Sequence, residues 1–311
     1  TGLSGYKRLL EQKLDAVVIE SPPLFHPEQA MAAVDAGKHV FLAKPIAVDV
    51  PGCLTVEEAG RKATESKRCF LVDFQTRTSD LYREAVSRVH RGDIGTVVSG
   101  EAQYLCGPTW GSTDADLKSN PEARLRHWGV DRILSGDIIT EQNIHALDVA
   151  TWIVDAAPTS AYGTGGRKAR TSSGDCWDHF AVIYKFPVEV VISFHSKQYG
   201  KGLGDIGCMV YGDSGSIDTH YFGEVSIVGQ KPFPGGNVGK LYSDGAARNI
   251  ATFHASIAAG DFSNPTVAPS VRSNLTTILG RTAAYEQREV TWESMLQNAE
   301  AYELDTAQLK S

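Results

Sequence analysis

Through its first ninety-odd residues the chain alternates short apolar runs with stretches of helical period, the arrangement of βαβ units around a parallel sheet. Asp15 to Glu20 (DAVVIE) reads as a buried strand ended by Ser21-Pro22-Pro23. A helix is predicted from Pro27 to Ala36, with proline in its first turn and Gly37 just past its end. Lys38 to Leu42 gives the next strand, closed by Ala43-Lys44-Pro45; then follow a helix over Pro51 to Ser66, a strand over Cys69 to Phe74 and a helix from Ser79 to Arg91 stopped by Gly92. This is half of a doubly wound sheet. The texture changes after Gly95, which sets the expected domain boundary there. Thr96 to Tyr104 reads as a strand, and a polar stretch runs to Glu122. A long helix from Gly136 to Val154 is followed by strand-like runs at Phe180 to Phe186, Val188 to His195, Cys208 to Tyr211 and Glu224 to Val228. Gly-rich turns between them predict a mainly antiparallel sheet. Helices close the chain over Ala246 to Ala259 and Pro269 to Tyr285.

Composition narrows the class without naming it. A chain of 311 residues exceeds one ordinary domain, so two are expected. No apolar run approaches a membrane span, and a net charge of −7 with no Lys/Arg block excludes nucleic acid and anionic membrane as main partners. A small neutral ligand fits better. Five cysteines, Cys53, Cys69, Cys106, Cys176 and Cys208, form no Cys-x-x-Cys pair and read as free thiols in packed positions. An odd count of thiols points to a reducing compartment, with export as the alternative. The chain opens on Thr1 without a charged-then-apolar leader, so no targeting peptide is read in it. Asn274-Leu275-Thr276 matches the glycosylation acceptor pattern but falls in a helical stretch, where the match reads as chance.

Two constellations carry candidate chemistry. Doubly wound sheets bind ligands in loops at the carboxyl ends of their strands, which singles out Ser21-Pro22-Pro23 and Ala43-Lys44-Pro45. Lys44 precedes a proline, and that restricts its backbone. Its ammonium is then aimed, able to hydrogen-bond a hydroxyl and to stabilise an alkoxide as hydride leaves. By composition alone the reading as a surface lysine ahead of a helix is the favoured one. In the long helix Asp137, Glu141, His145, Asp148 and Trp152 recur at spacings of four, four, three and four, which places them on one face of a continuous helix. Such a stripe suits a helix lining a wet cleft, with His145 as general base and Glu141 fixing its tautomer. It suits a solvated helix face as well. Gly202-Leu203-Gly204-Asp205-Ile206-Gly207 matches the dinucleotide-binding Gly-x-Gly-x-x-Gly letter for letter, but a strand rather than a helix follows, so it reads as a hairpin turn. Nine dispersed histidines, none in a His-Glu-x-x-His pattern, offer no metal set.

Taken in order, these segments resemble the Gfo/Idh/MocA family of glucose-fructose oxidoreductase and inositol dehydrogenase. Leu14 to Pro45 (LDAVVIESPPLFHPEQAMAAVDAGKHVFLAKP) is similar to the family's second cofactor-binding segment, Phe74-Gln75-Thr76-Arg77 through Gly92-Asp93-Ile94-Gly95 to its passage into the second domain, Gly136 to Asp148 to its catalytic helix, and Leu279-Gly280-Arg281 to its last helix. The resemblance implies a partial Rossmann-type doubly wound parallel sheet over 1–95 and, over 96–311, an α/β substrate domain with a mainly antiparallel open sheet whose terminal helices pack back on the first domain. It implies an NAD(P)-dependent oxidoreductase that takes hydride from a secondary hydroxyl of a sugar, cyclic polyol or glycoside. Ser21, Pro22, Pro23, His26, Lys44 and Gln75 would meet NAD or NADP; Lys44, Arg77, Glu141 and His145 would meet the substrate, with His145 taking the proton. Two departures from the family pattern stand out: Ala43 replaces the usual glutamate of Glu-Lys-Pro, and Glu141 stands where aspartate is common. The family's first strand, its Gly-rich turn and its second βα unit, roughly 60 to 80 residues, would lie upstream, and without them pyrophosphate binding is expected to be weak. Family members associate through the outer face of the second sheet, so a homo-oligomer is expected. Two alternatives remain: a cofactor-assisted glycosidase or lyase with no net redox change, and a non-catalytic sugar-binding subunit.

Overall fold

The computed structural model describes residues 2–108 and 113–305. Its first part opens with helix α1 (Gly5–Leu10) and alternates strands and helices: β1 (Ala16–Ile19), α2 (His26–Asp35), β2 (His39–Ala43), α3 (Val50–Glu65), β3 (Phe70–Asp73) and α4 (Asp80–His90). The three strands form a parallel sheet in the order β1-β2-β3, with Val17 beside Val40 and Val40 beside Phe70. Local chemistry explains these boundaries. Pro27 sits in the first turn of α2, and Gly37 takes the left-handed φ of +70° that ends it. Helix α3 starts where the Asp49 carboxylate accepts from the Gly52 N–H at 2.7 Å. Helix α4 buries Tyr82, Ala85, Val86 and Val89, the i, i+3, i+4, i+7 stripe of a helix packed on one side.

The second part is built on a nine-stranded sheet. Strand β4 (Val97–Cys106) leads, after the short helices α5 (Pro121–Arg126), α6 (Arg132–Ser135) and α7 (Asp137–Glu141) and the longer α8 (Ile144–Val154), to β5 (Ser160–Gly166), β6 (His179–Lys185) and β7 (Val191–Gln198). Then come β8 (Asp205–Gly212), β9 (Gly215–His220), β10 (Glu224–Gly229), β11 (Phe233–Asn237), α9 (Leu241–Ala259), α10 (Val267–Glu286), β12 (Val290–Thr291) and α11 (Trp292–Gln297). The spatial order is β11-β10-β9-β8-β4-β7-β6-β5-β12, antiparallel except where β4 runs parallel to β7. Along β6 burial alternates strictly: Phe180, Val182 and Tyr184 point inward, Ala181 and Ile183 outward. Helices α8 and α10 cover the inner face. They come close: a methyl group on Gly280 of α10 would stand 1.9 Å from the Tyr184 hydroxyl of β6. No helix among the described residues is long and apolar enough to cross a membrane.

Three expectations are corrected. The long helix over Gly136 to Val154 is two, α7 and α8, broken at Gln142-Asn143. The Gly202–Gly207 segment is not a hairpin turn: it joins β7 to β8, which are separated by β4, so the chain crosses an intervening strand, and Asp205 to Gly207 already belong to β8. Glu122, placed at the end of a polar stretch, lies in α5, and residues 109–112 of that stretch fall outside the described residues.

The last third of the chain returns to the first sheet. Helix α9 packs on β2 and β3, and α10 on α3. On the open side of β3 the N–H of Phe70 donates to the Asn264 amide oxygen at 2.7 Å and that of Val72 to the Thr266 hydroxyl at 3.0 Å, which covers an edge strand with side chains. Asn274, fully buried in α10, accepts from the Ile46 N–H at 3.0 Å and donates to the Ala47 carbonyl at 3.1 Å and to Cys53 Sγ at 3.3 Å. The glycosylation-like asparagine is thus a bolt holding the loop after Lys44. Arg281, one helical face on, donates to the Gly136 and Val48 carbonyls at 2.7 and 2.8 Å. Asn274→Leu keeps the volume but strands a buried N–H and a buried C=O, so a loss of about 3 kcal/mol is expected. The midpoint of denaturant unfolding reads it; an unchanged midpoint would show that the loop holds itself.

Candidate active site

The carboxyl ends of β1, β2 and β3 open into a cavity of about 510 Å³. Glu20, Ser21, Pro23 and His26 reach it after β1, Ala43 and Lys44 after β2, and Asp73 and Gln75 after β3. The opposite wall is Glu141, Gln142 and His145, and Tyr104, Cys106, Trp128, Tyr221, Phe222 and Tyr242 complete it. A hollow of about 580 Å³ lies elsewhere, between α1, α2 and the segment near Tyr302. Lys7 and Glu28 on its wall are exposed, and the buried Asp49 is engaged by the Gly52 and Tyr302 N–H groups, so volume alone does not mark the chemistry.

Lys44 reaches across from the first sheet to the second part of the chain. Its Nζ donates to the Glu141 backbone carbonyl at 2.7 Å and to Glu141 Oε1 at 3.2 Å, with only 14% and 7% of the two side chains exposed. An ammonium carries three donors, so one remains for a ligand. The other Glu141 oxygen accepts from the Gln142 amide, and the Tyr104 hydroxyl donates to Gln142 Oε1 at 2.7 Å. Glu141 therefore fixes Lys44 and not, as expected from the spacing, the tautomer of His145. The helix breaks after Glu141, so the one-turn spacing to the histidine is not kept, and the carboxylate bonds to Lys44 and Gln142 instead.

His145 is buried, and its Nδ1 has no hydrogen-bond partner among the described residues. Its ring stands edge-on to Tyr221, centroids 5.1 Å apart. The Tyr221 hydroxyl donates to Gln75 Oε1 at 3.2 Å, Gln75 Nε2 donates to Asp73 at 3.0 Å, and Asn249 donates to the other Asp73 oxygen. Burial first, and the Lys44 charge second, hold the His145 pKa well below the ordinary histidine value. The imidazole is neutral, as a proton acceptor must be. Burial also raises the Asp73 carboxyl, against the pull of Asn249.

Of the residues expected at the cofactor and substrate, Ser21, Pro23, His26, Lys44, Gln75, Glu141 and His145 line this one cavity. Pro22 and Arg77 are not among its lining residues. His26 is pinned in the floor, with Nδ1 2.8 Å from the Pro45 carbonyl and Nε2 2.6 Å from that of Ser21. Burial outweighs the pull of those two carbonyls and, with Lys44 adding to it, takes the His26 pKa down to about 4. A neutral ring carries one N–H, so His26 donates to one of these carbonyls and packs against the other, wedged between the two loops. Arg77, expected at the substrate, instead grips Asp148 in a fork, Nε to Oδ2 at 3.0 Å and Nη2 to Oδ1 at 2.8 Å, and packs over Trp152. The Asp137 carboxylate likewise turns from the cavity to the Tyr285 hydroxyl at 2.6 Å and the Trp177 N–H. Only Glu141 and His145 of the five-residue stripe face the ligand space. The Asp148 side chain is fully buried. Arg77→Met should therefore cost about 3 to 5 kcal/mol by leaving that charge unpaired. An unfolding midpoint close to that of the unaltered protein would mean that the Ser273 hydroxyl, which donates to Asp148 Oδ1 at 2.7 Å, suffices to hold the carboxylate without a cation.

No periodicity or motif marks the aromatic lining. Trp128 sits in a single helical turn, Tyr221 and Phe222 in the turn between β9 and β10, and Tyr242 at the start of α9. Tyr104 alone carries a signal, the inward alternation of Ala102 and Tyr104 along β4.

Comparison with known proteins agrees with this fold. Residues 3–74 match the domain described as "Oxidoreductase family, NAD-binding Rossmann fold", and residues 82–218 the "GFO/IDH/MocA C-terminal domain". Inositol 2-dehydrogenase 3 of Saccharopolyspora erythraea is 28% identical over 220 residues, 69% of this chain and 57% of that protein. The chain spans little more than half the length of the curated relatives it matches. Among solved structures, an oxidoreductase domain protein from Kribbella flavida superposes with a TM-score of 0.76 at 19% identity, covering 92% of this chain and 82% of its own. Levoglucosan dehydrogenase in complex with NADH gives 0.75 at 19% identity, covering 93% and 82%. Both family domains follow one another along the sequence in the order in which the two sheets are built, and the chain belongs to the Gfo/Idh/MocA oxidoreductase family.

Proposed function

We propose that the protein oxidises a secondary hydroxyl of a sugar, cyclic polyol or glycoside with NAD or NADP. The observation that carries this reading is the convergence of Lys44, from the first sheet, and a neutral His145, from the second part of the chain, whose Nδ1 has no hydrogen bond among the described residues, on one cavity. A cofactor fits there: the cavity opens off the carboxyl ends of parallel strands, where doubly wound sheets take dinucleotides, and Pro23 and Ala43 offer small apolar surfaces for a flat ring. When bound, the oxidised nicotinamide ring accepts a hydride. Ser21, Pro23 and Gln75 would border it, with His26 holding the Ser21 and Pro45 backbones in place. Lys44 directs its free N–H to the hydroxyl oxygen and stabilises the alkoxide charge that develops there. His145 takes the hydroxyl proton on a ring nitrogen. Glu141 keeps Lys44 aimed and balances its charge.

The match to an inositol 2-dehydrogenase supports a cyclic polyhydroxylated substrate, and the fold shared with an NADH-bound sugar dehydrogenase supports the cofactor assignment. The test is a panel of sugars and cyclic polyols with the full-length protein and each cofactor, followed by absorbance of the reduced nicotinamide. Accumulation of reduced cofactor with at least one member is expected. Substrate loss without it would replace dehydrogenation by a redox-neutral elimination.

The same reading includes self-association through the uncovered face of the nine-stranded sheet. Tyr162, Ile183, Val191 and Tyr211 share that face and are exposed, a larger apolar display than a lone surface residue. A single protomer mass in sedimentation would dismiss it.

A further inference from the structure

The turn between β9 and β10 is built from Tyr221, Phe222 and Gly223, although turns on protein surfaces favour small polar residues. Tyr221 is buried beside His145, whereas Phe222 is 66% exposed. The rings form a ladder out of the cavity, His145 to Tyr221 at 5.1 Å and Tyr221 to Phe222 at 4.9 Å, each pair edge-on. Tyr242, from the first turn of α9, is 67% exposed and lines the same cavity. Two aromatic side chains from separate elements thus stand at the mouth of a cavity whose interior holds Lys44, Glu141 and His145. Neither has burial to gain in the protein as it stands.

A saturated sugar ring has a face of C–H bonds and an edge of hydroxyls. The C–H face carries slight positive charge and suits the negative face of an aromatic ring, while its area is withdrawn from water on contact. The hydroxyl edge needs donors and acceptors such as those deeper in the cavity. A one-ring substrate placed with its hydroxyl at Lys44 and His145 would occupy the inner space. Phe222 lies farther out, at the end of the ladder, and Tyr242 is exposed on the same cavity. Resting on the dehydrogenase reading above, we propose that Phe222 and Tyr242 form an outer stacking subsite for a second, non-reacting ring, so that the preferred substrate is a glycoside or disaccharide rather than a free monocyclic sugar or polyol.

The test compares one-ring probes, D-glucose and myo-inositol, with two-ring probes, cellobiose, maltose and trehalose, using the full-length protein and its cofactor. The highest kcat/KM is expected for a two-ring probe. Phe222→Ala and Tyr242→Ala should each lower the ratio of two-ring to one-ring kcat/KM roughly tenfold, through KM, while Phe222→Trp preserves it. Both side chains are mostly exposed, and a thermal melt of each variant confirms folding. Preference for a one-ring probe, or an unchanged ratio in the alanine variants, overturns the subsite and leaves the dehydrogenase reading standing. Weakened cofactor binding with an unchanged ratio also overturns it, by assigning the rings to the cofactor. Turnover of no probe at all defeats the dehydrogenase reading instead. In that case titration of tryptophan fluorescence with the same sugars decides the subsite: tighter two-ring binding that is lost in Phe222→Ala supports it, and equal or weaker two-ring binding ends it.

Discussion

His145→Asn is expected to lower kcat by roughly 10²- to 10⁴-fold, the range for loss of a general base, while the protein stays folded. The asparagine is smaller than the imidazole, and among the described residues His145 Nδ1 has no hydrogen bond to lose. Steady-state assay of reduced cofactor with the best substrate of the panel reads the effect. The pH profile of the unaltered protein provides an independent check. Burial and the nearby Lys44 charge both disfavour the imidazolium, so the folded-state pKa lies well below the ordinary 6.5. A base that is active when neutral then stays active as pH falls through 6.5, and kcat/KM should fail only in more acid solution. An acid limb centred at or above that value, or a variant as fast as its parent, would remove His145 from proton transfer.

Lys44→Met should lower kcat by roughly 10²- to 10³-fold, the usual consequence of deleting one donor to a developing oxyanion. Two further readouts separate this from simple damage. Removing the ammonium takes away one of the two causes that depress His145, so the acid limb of the residual activity should move upward in pH. It also leaves the Glu141 carboxylate, only 7% exposed, without its cation, which should cost about 3 kcal/mol. Adding Glu141→Gln to Lys44→Met removes the stranded charge and should restore most of the unfolding midpoint without restoring turnover. If the double variant recovered activity, the lysine would be a structural counter-ion alone.

What could be read from the sequence follows from what is local. Strands such as Ala16–Ile19 and Phe70–Asp73 are short apolar runs bounded by helix signals, and caps like Asp49 and stops like Gly37 act within a few residues. Lys44 was visible because its loop position has a general meaning in such sheets. The helix stripe misled in part. Its spacing assumed an unbroken helix, but the chain turns at Gln142-Asn143, and the partners of Asp137 and Asp148 come from Tyr285, Trp177, Arg77 and Ser273, far along the chain. No periodicity encodes those meetings. The aromatic mouth was hidden for the same reason: Phe222 and Tyr242 are single residues at the ends of different elements, and only the sheet order brings them together.

The return of the final third of the chain to the first sheet limits how such a protein can be recombined. A crossover near residue 95 between two diverged relatives would look clean on a linear map. Yet it would part Phe70 and Val72 from the Asn264 and Thr266 that accept from them, and the loop at Ile46 and Ala47 from Asn274. Because the first half offers only backbone groups to these bonds, viable chimaeras must take residues 264–274 from a parent that carries polar side chains of this reach there, a constraint that a laboratory shuffling library would expose as missing combinations.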